Sequence, residues 1–170
     1  MALIIPVNGI SPIFGKDCFI AENATITGEV TMGDECSVWF NAVVRGDVNS
    51  ITIGNRVNIQ DQAVIHCTYQ KAKTIIGNNV SIGHSAIVHG CTLQDNVLIG
   101  MGAIVMDHVI VGENSMIAAG AVVLENTIVE PGSIWAGTPA KKIKQMTPEH
   151  FKDLNERISK NYLMYSKWYK

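Results

Sequence analysis

Charge is scarce in this sequence. Only 16% of its 170 residues are Asp, Glu, Lys or Arg, and they nearly cancel to a net −2. A chain so poor in basic residues lacks the electrostatic footprint of a nucleic-acid or anionic-membrane binder. Long apolar runs are also missing, since none approaches the roughly 20 residues that span a bilayer. The opening MALIIPVNG has no basic flank and meets Pro6 after Leu3, Ile4 and Ile5, so neither a signal peptide nor an anchor is expected there. Cysteines are few: Cys18, Cys36, Cys67 and Cys91. With nothing pointing to secretion, they are expected to be free thiols in a reducing, cytoplasmic setting. Aromatics make up 6% of the chain, whereas glycine occurs 15 times among many valines and isoleucines, which predicts β-structure with many turns.

What the chain has is a period of six. With an aliphatic residue at position 1 and a small or β-branched one at position 5, residues 14 to 140 read FGKDCF, IAENAT, ITGEVT, MGDECS, VWFNAV, VRGDVN, then, after SIT, IGNRVN, IQDQAV, IHCTYQ. After KAKTI come IGNNVS, IGHSAI and the five-residue VHGCT, followed by LQDNVL, IGMGAI, VMDHVI, VGENSM, IAAGAV, VLENTI, VEPGSI and WAGTPA. Position 2 is often glycine, as at Gly15, Gly33, Gly54 and Gly77. A hexapeptide repeat predicts a parallel β-helix, three hexads to a triangular coil with position 1 inward, so roughly 20 hexads give nearly seven coils. Cys36, at inward position 5, belongs to the core, while Trp39 and Met106, both at position 2, are expected to cover a subunit interface.

The tail, from MTPEHF onward, breaks the pattern. Thr147 suits an N-cap and Pro148 the first helical position, and Phe151, Leu154, Ile158, Tyr162 and Tyr165 recur at three or four residues. This predicts one helix over 147–169 packed along the prism. The whole chain, 1–170, is read as a single domain.

The repeat also serves as a ruler. Coils stack about 4.8 Å apart, so equal hexad positions three hexads apart lie above one another. His66 and His89 are both position 2 and three hexads apart, provided KAKTI bulges out as a loop. Such a pair can share a metal ion through bonds of about 2.0–2.1 Å. His84, five residues before His89, is position 3 of the preceding hexad and belongs to another face. A neighbouring subunit can supply it instead. A cyclic trimer would then hold three equivalent sites, each with three histidines and an open fourth position, the pattern of catalytic zinc. Arg45 continues the ladder one coil back, with Asp47 two residues on at a corner. Gln60 lies on the face preceding His66, with Asp61 beside it. Cys67 follows His66 but is read as structural, and His108 and His150 as surface residues.

VVRGDVNSITIGNRVNIQDQAVIHC followed by IGNNVSIGHSAIVHGC resembles the γ-class carbonic anhydrase family, and the resemblance extends through IWAGTPAKKIK to the terminal helix. It implies an all-β fold, a left-handed parallel β-helix of hexapeptide repeats with one C-terminal α-helix. It further implies zinc, or iron or cobalt, bound by His66, His89 and a neighbour's His84, and reversible hydration of CO₂ to bicarbonate by a zinc-hydroxide mechanism at the trimer interface. By the same resemblance, Arg45 and Asp47 form an interface ion pair, Gln60 orients the reacting solvent with Asp61 as its neighbour, and Tyr162 matches a helix tyrosine near the pocket.

The chain departs from the best-characterised members in two places. Val48 stands where they carry a glutamate after the Arg-Gly-Asp element, and the loop CTYQKAKTI contains no carboxylate. Hydration is therefore expected to be slow for want of a proton shuttle. Metal-dependent hydrolysis of an ester or thioester uses the same site. Acyl transfer from acyl-CoA shares the repeat and the GTPAKKIK exit and needs one histidine without a metal. A non-catalytic binding or assembly role is the fourth alternative.

Overall fold

In a computed structural model, residues 1–169 are described, with the side chains of 148, 150 and 152–156 excepted. Leu154 of the predicted stripe and His150 therefore lie outside the described side chains. The chain winds as a left-handed parallel β-helix of about seven turns, followed by a single helix, Pro148–Ser166. Most hexads contribute a strand of two or three residues that pairs in parallel with its counterpart one coil away, as Ser81–Ile82 does with Leu98–Ile99.

Three faces make the prism. The first stacks Leu3–Ile5, Thr25–Gly28, Val43–Arg45, Val64–His66, Ile87–His89, Ile104–Val105 and Val122–Val123. The second stacks Ile13–Phe14 through Ile51–Ile53 and Thr74–Ile76 to Ile128–Val129. The strands Thr25–Met32 and Val43–Ile53 bend continuously round the corner between these two faces. The third face runs from Phe19–Ile20 to Ser133–Ala136 and closes with the antiparallel strand Lys141–Gln145.

The repeat follows from the geometry of one coil. Position 1 points inward, and Ile26, Val38, Val44, Ile59, Ile65, Ile82, Val88 and Ile99 are fully buried in one core. Each contributes about 1.5–3 kcal/mol by leaving water. Position 5 also faces inward, where the corner leaves space for Ala24, Ala42, Ala63 and Ala86. Glycine at position 2 lets neighbouring coils touch: a Cβ on Gly33 would lie 2.8 Å from the Gly54 carbonyl carbon, and one on Gly54 would lie 2.8 Å from that of Gly77. Position 4 carries the corner in left-handed backbone, at Asp17, Glu35, Asn41, Asn79, Asn96, His108, Asn114 and Asn126 among others. The side chains of Asn and Asp ease that conformation.

The four cysteines are free thiols, with Cys36, Cys67 and Cys91 buried. The terminal helix packs on Ser37–Val38 and Ser81–Ile82 of the third face, burying Phe151. Trp39 departs from expectation. It is buried within the chain, stacked against Phe19, Tyr162 and Tyr169, because the helix lands on its face and covers it. Among the described residues no helix is long and apolar enough to cross a membrane.

Candidate metal centre

His66 and His89 end neighbouring first-face strands and pair in register. Their side chains meet, with His66 Nδ1 at 3.0 Å from His89 Nε2. Each ring is held from behind. His66 Nε2 lies 3.1 Å from Asp47 Oδ1 and His89 Nδ1 lies 2.5 Å from Asp107 Oδ1. A carboxylate accepts from the ring N–H and leaves the lone pair on the opposite nitrogen. Arg45 agrees with that tautomer for His66, since its guanidinium nitrogen lies 3.4 Å from Nδ1 and can only donate.

The two nitrogens facing one another are therefore both acceptors, an arrangement that a shared cation satisfies. Two bonds of about 2.0–2.1 Å at a tetrahedral angle place donors about 3.3 Å apart, close to the observed separation. The pair fits two corners of a zinc site.

Arg45 and Asp47 meet within one chain, 2.6 Å between Nη1 and Oδ2. Burial pushes the Asp47 carboxyl up, but hydrogen bonds from Arg45 and His66 outweigh it and hold the group below the usual carboxylate range. For His66, burial is the leading cause of a pKa below the usual imidazole value; the hydrogen bond to Asp47 opposes it, and the positive charge of Arg45 adds to it. Both shifts favour a neutral, metal-competent imidazole beside an ionised carboxylate.

His84 belongs to a second group at the other end of the first face. Its Nδ1 lies 2.8 Å from Asp61 Oδ2, and its Nε2 lies 3.4 Å from the Tyr162 hydroxyl. The third-face strand Ser81–Ile82 ends just before it, and the helix packed there carries Tyr162. Burial, then the charge of Asp61 and the neighbouring Tyr165, pushes the phenol up to about 12, so it remains a protonated donor. Gln60 is buried, and its Nε2 donates to Asn58 Oδ1 at 2.9 Å; Asn58 Nδ2 in turn donates to Ser81 Oγ at 2.7 Å.

One chain thus brings Arg45, Asp47, His66 and His89 together, and separately Asp61, His84 and Tyr162. Among the described residues of one chain no three His, Cys, Asp or Glu side chains are placed to hold one metal ion. Two contributors escaped the sequence reading. Asn58, two residues before Gln60, points the same way along its strand and could have been found by that alternation. Asp107, at position 3 of VMDHVI, carried a weaker signal, a carboxylate one coil beyond His89.

The fold and paired histidines define a class, the hexapeptide-repeat β-helix proteins. The bacterial transferase hexapeptide family (six repeats) matches residues 90–125. A carbonic anhydrase of Geobacillus kaustophilus is 46% identical over 99% of this chain and 91% of its own length. A protein of Methanocaldococcus jannaschii described as a probable carbonic anhydrase is 51% identical over 85% of this chain and 90% of its own. Mitochondrial gamma carbonic anhydrase 2 of Arabidopsis thaliana is 40% identical over 90% of this chain, which spans only 56% of that longer protein. Among solved structures, a hexapeptide transferase family protein from Anaplasma phagocytophilum superposes with a TM-score of 0.93 at 43% identity, covering 99% of this chain and 98% of that one. The chain belongs to the gamma carbonic anhydrase family.

Proposed function

We propose that this chain catalyses the reversible hydration of CO₂ to bicarbonate in a homotrimer. The metal, zinc with iron or cobalt as substitutes, is held by His66 and His89 of one subunit and by His84 of the partner subunit. The observation that carries the reading is the opposed pair His66 Nδ1 and His89 Nε2, 3.0 Å apart with a carboxylate behind each ring. Gamma carbonic anhydrase relatives over nearly the whole chain supply the reaction class. A zinc ion bound there supplies Lewis acidity that brings the pKa of a water to about 7.

The chain's own residues bind and orient. Asp47 fixes the His66 ring, and Arg45 balances the Asp47 charge so that the carboxylate does not itself compete for the cation. Asn58 holds the Gln60 amide nitrogen, leaving the Gln60 carbonyl oxygen to accept a hydrogen bond from the reacting water. Tyr162 donates from its hydroxyl beside His84. Proton removal is the weak step, because Asp47 and Asp107 are both engaged by imidazoles and neither Val48 nor the 67–75 loop adds a carboxylate. Stopped-flow CO₂ hydration by zinc-, iron- and cobalt-loaded protein tests the reading. A rate above buffer that disappears with chelator is expected, and no rate above buffer with any of the three metals overturns it.

Likeness to the Anaplasma transferase-family protein favours acyl-CoA transfer as the second reading. Metal analysis separates the two. A purified oligomer that retains no stoichiometric metal and acetylates acceptors supports the transferase. Thioester turnover lost with a chelator keeps the metal and changes the substrate.

A further inference from the structure

Three consecutive coils handle one corner differently. The coil containing His66 bulges into a loop, in which Thr68 and Ala72 pair across a tight turn. The coil containing His89 is one residue short, turning at Gly90 with φ +54°. The next coil turns normally through Asp107 and His108. The missing residue leaves a space, and Asp107 fills it. A Cβ on Gly90 would fall 2.2 Å from Asp107 Oδ1 and 2.8 Å from the Ala72 Cβ. Within that space Asp107 Oδ1 meets His89 Nδ1 at 2.5 Å, and Asp107 Oδ2 accepts from Thr68 Oγ1 at 2.5 Å.

We infer that Asp107, clamped by Thr68 and admitted by Gly90, is the positioning residue that fixes His89 as its Nδ1–H tautomer and aims Nε2 at His66. Neutral imidazole has one donor and one acceptor nitrogen, and the hydrogen bond at one nitrogen decides which is free. Both Asp107 oxygens are committed, so Asp107 does not act as a ligand. The loop that lacks a carboxylate of its own contributes Thr68, which holds one reaching down from two coils above. The loop and the short hexad thus form one device from two breaks in the repeat.

The inference rests on the metal reading for its affinity arm alone. In metal-free, full-length protein with ¹⁵N-labelled histidine, NMR is expected to find His89 in the Nδ1–H tautomer. In Asp107→Ala the ring is expected to revert to a mixture, and in a chromophoric-chelator competition zinc affinity falls about 10–100-fold. Asp107→Asn, which keeps an acceptor without the charge, falls between. Thr68→Val gives a smaller loss in the same direction, and Thr68→Ser restores affinity. A purely structural carboxylate would lower the unfolding midpoint and leave tautomer and affinity alone. Wild-type His89 as the Nε2–H tautomer, a measurement that needs no variant, overturns the inference. So does unchanged zinc affinity in Asp107→Ala. If wild-type protein binds no zinc but keeps the Nδ1–H tautomer, the metal reading falls and the role of Asp107 stands.

Discussion

Residue 90 sits where the repeat loses a residue, and it tolerates no side chain. Gly90→Ala forces a methyl against Asp107 and Ala72 in left-handed backbone. Overpacking costs about 1–3 kcal/mol and the backbone about 1–2 kcal/mol more. Urea unfolding of the metal-free protein should show a loss of about 2–5 kcal/mol by that sum; a loss within experimental error would mean that the corner relaxes freely. The thiols yield a second prediction. Cys36 is shifted up by its hydrogen bond with Cys18 and by burial, and Cys67 and Cys91 mainly by burial. Thiolate is the reactive form, and a raised pKa keeps these groups protonated as pH climbs. Folded protein at pH 8 should therefore give at most one rapidly modified thiol with a disulfide reagent, Cys18, and four after denaturation. At this scale the sequence is legible where a residue follows the repeat. His66 and His89 fall on the same hexad position and do stack. Asp107 was not legible, because its reach depends on a shortened corner in the coil below, which the six-residue period registers only as a lost phase.

The coil and the terminal helix are the elements that position the site. Positions 1 and 5 of the hexad disclose the core because a triangular coil has one inside. Position 4 carried an Asn/Asp signal for left-handed corners that a search for apolar periodicity overlooks. The landing face of the helix is not encoded in the hexads at all, which is why Trp39, at an outward position, was expected at an interface and is buried under the helix instead. Trp39 donates from Nε1 to Ser37 Oγ at 3.0 Å and packs edge-on against Tyr162, the residue that reaches His84. Trp39→Ala removes a buried aromatic, worth about 3–5 kcal/mol. The loss should concentrate in the helix. Hydrogen exchange of the amides in Phe151–Ser166 is expected to accelerate, while first-face amides around Val88 and Val105 keep their protection. Uniform acceleration would mean that helix and prism unfold as one unit, and no acceleration would mean that the helix is held elsewhere.

At the scale of the molecule, one chain divides the proposed donors between two corners of its first face. His66 and His89 sit at one end and His84 at the other. A cyclic arrangement can bring the two ends of neighbouring chains together without either chain bending. Mixed subunits test this directly. In the proposed homotrimer, His66→Ala protein and His84→Ala protein should each bind no zinc in stoichiometric amount, since every site in either lacks one ligand. Unfolding the two together in equal amounts and refolding them distributes subunits at random. An interface is whole when the chain giving His66 and His89 is a His84→Ala subunit and the chain giving His84 is a His66→Ala subunit. Each condition holds for half of the positions, so about one quarter of the sites should regain zinc. Were all three histidines to act within one chain, every chain in the mixture would carry a defect and none would recover. Zinc recovery measured after gel filtration thus reads the sharing of the site independently of any turnover. A mixed oligomer with no recovered zinc would confine the metal, and the chemistry argued from it, to single chains or to neither.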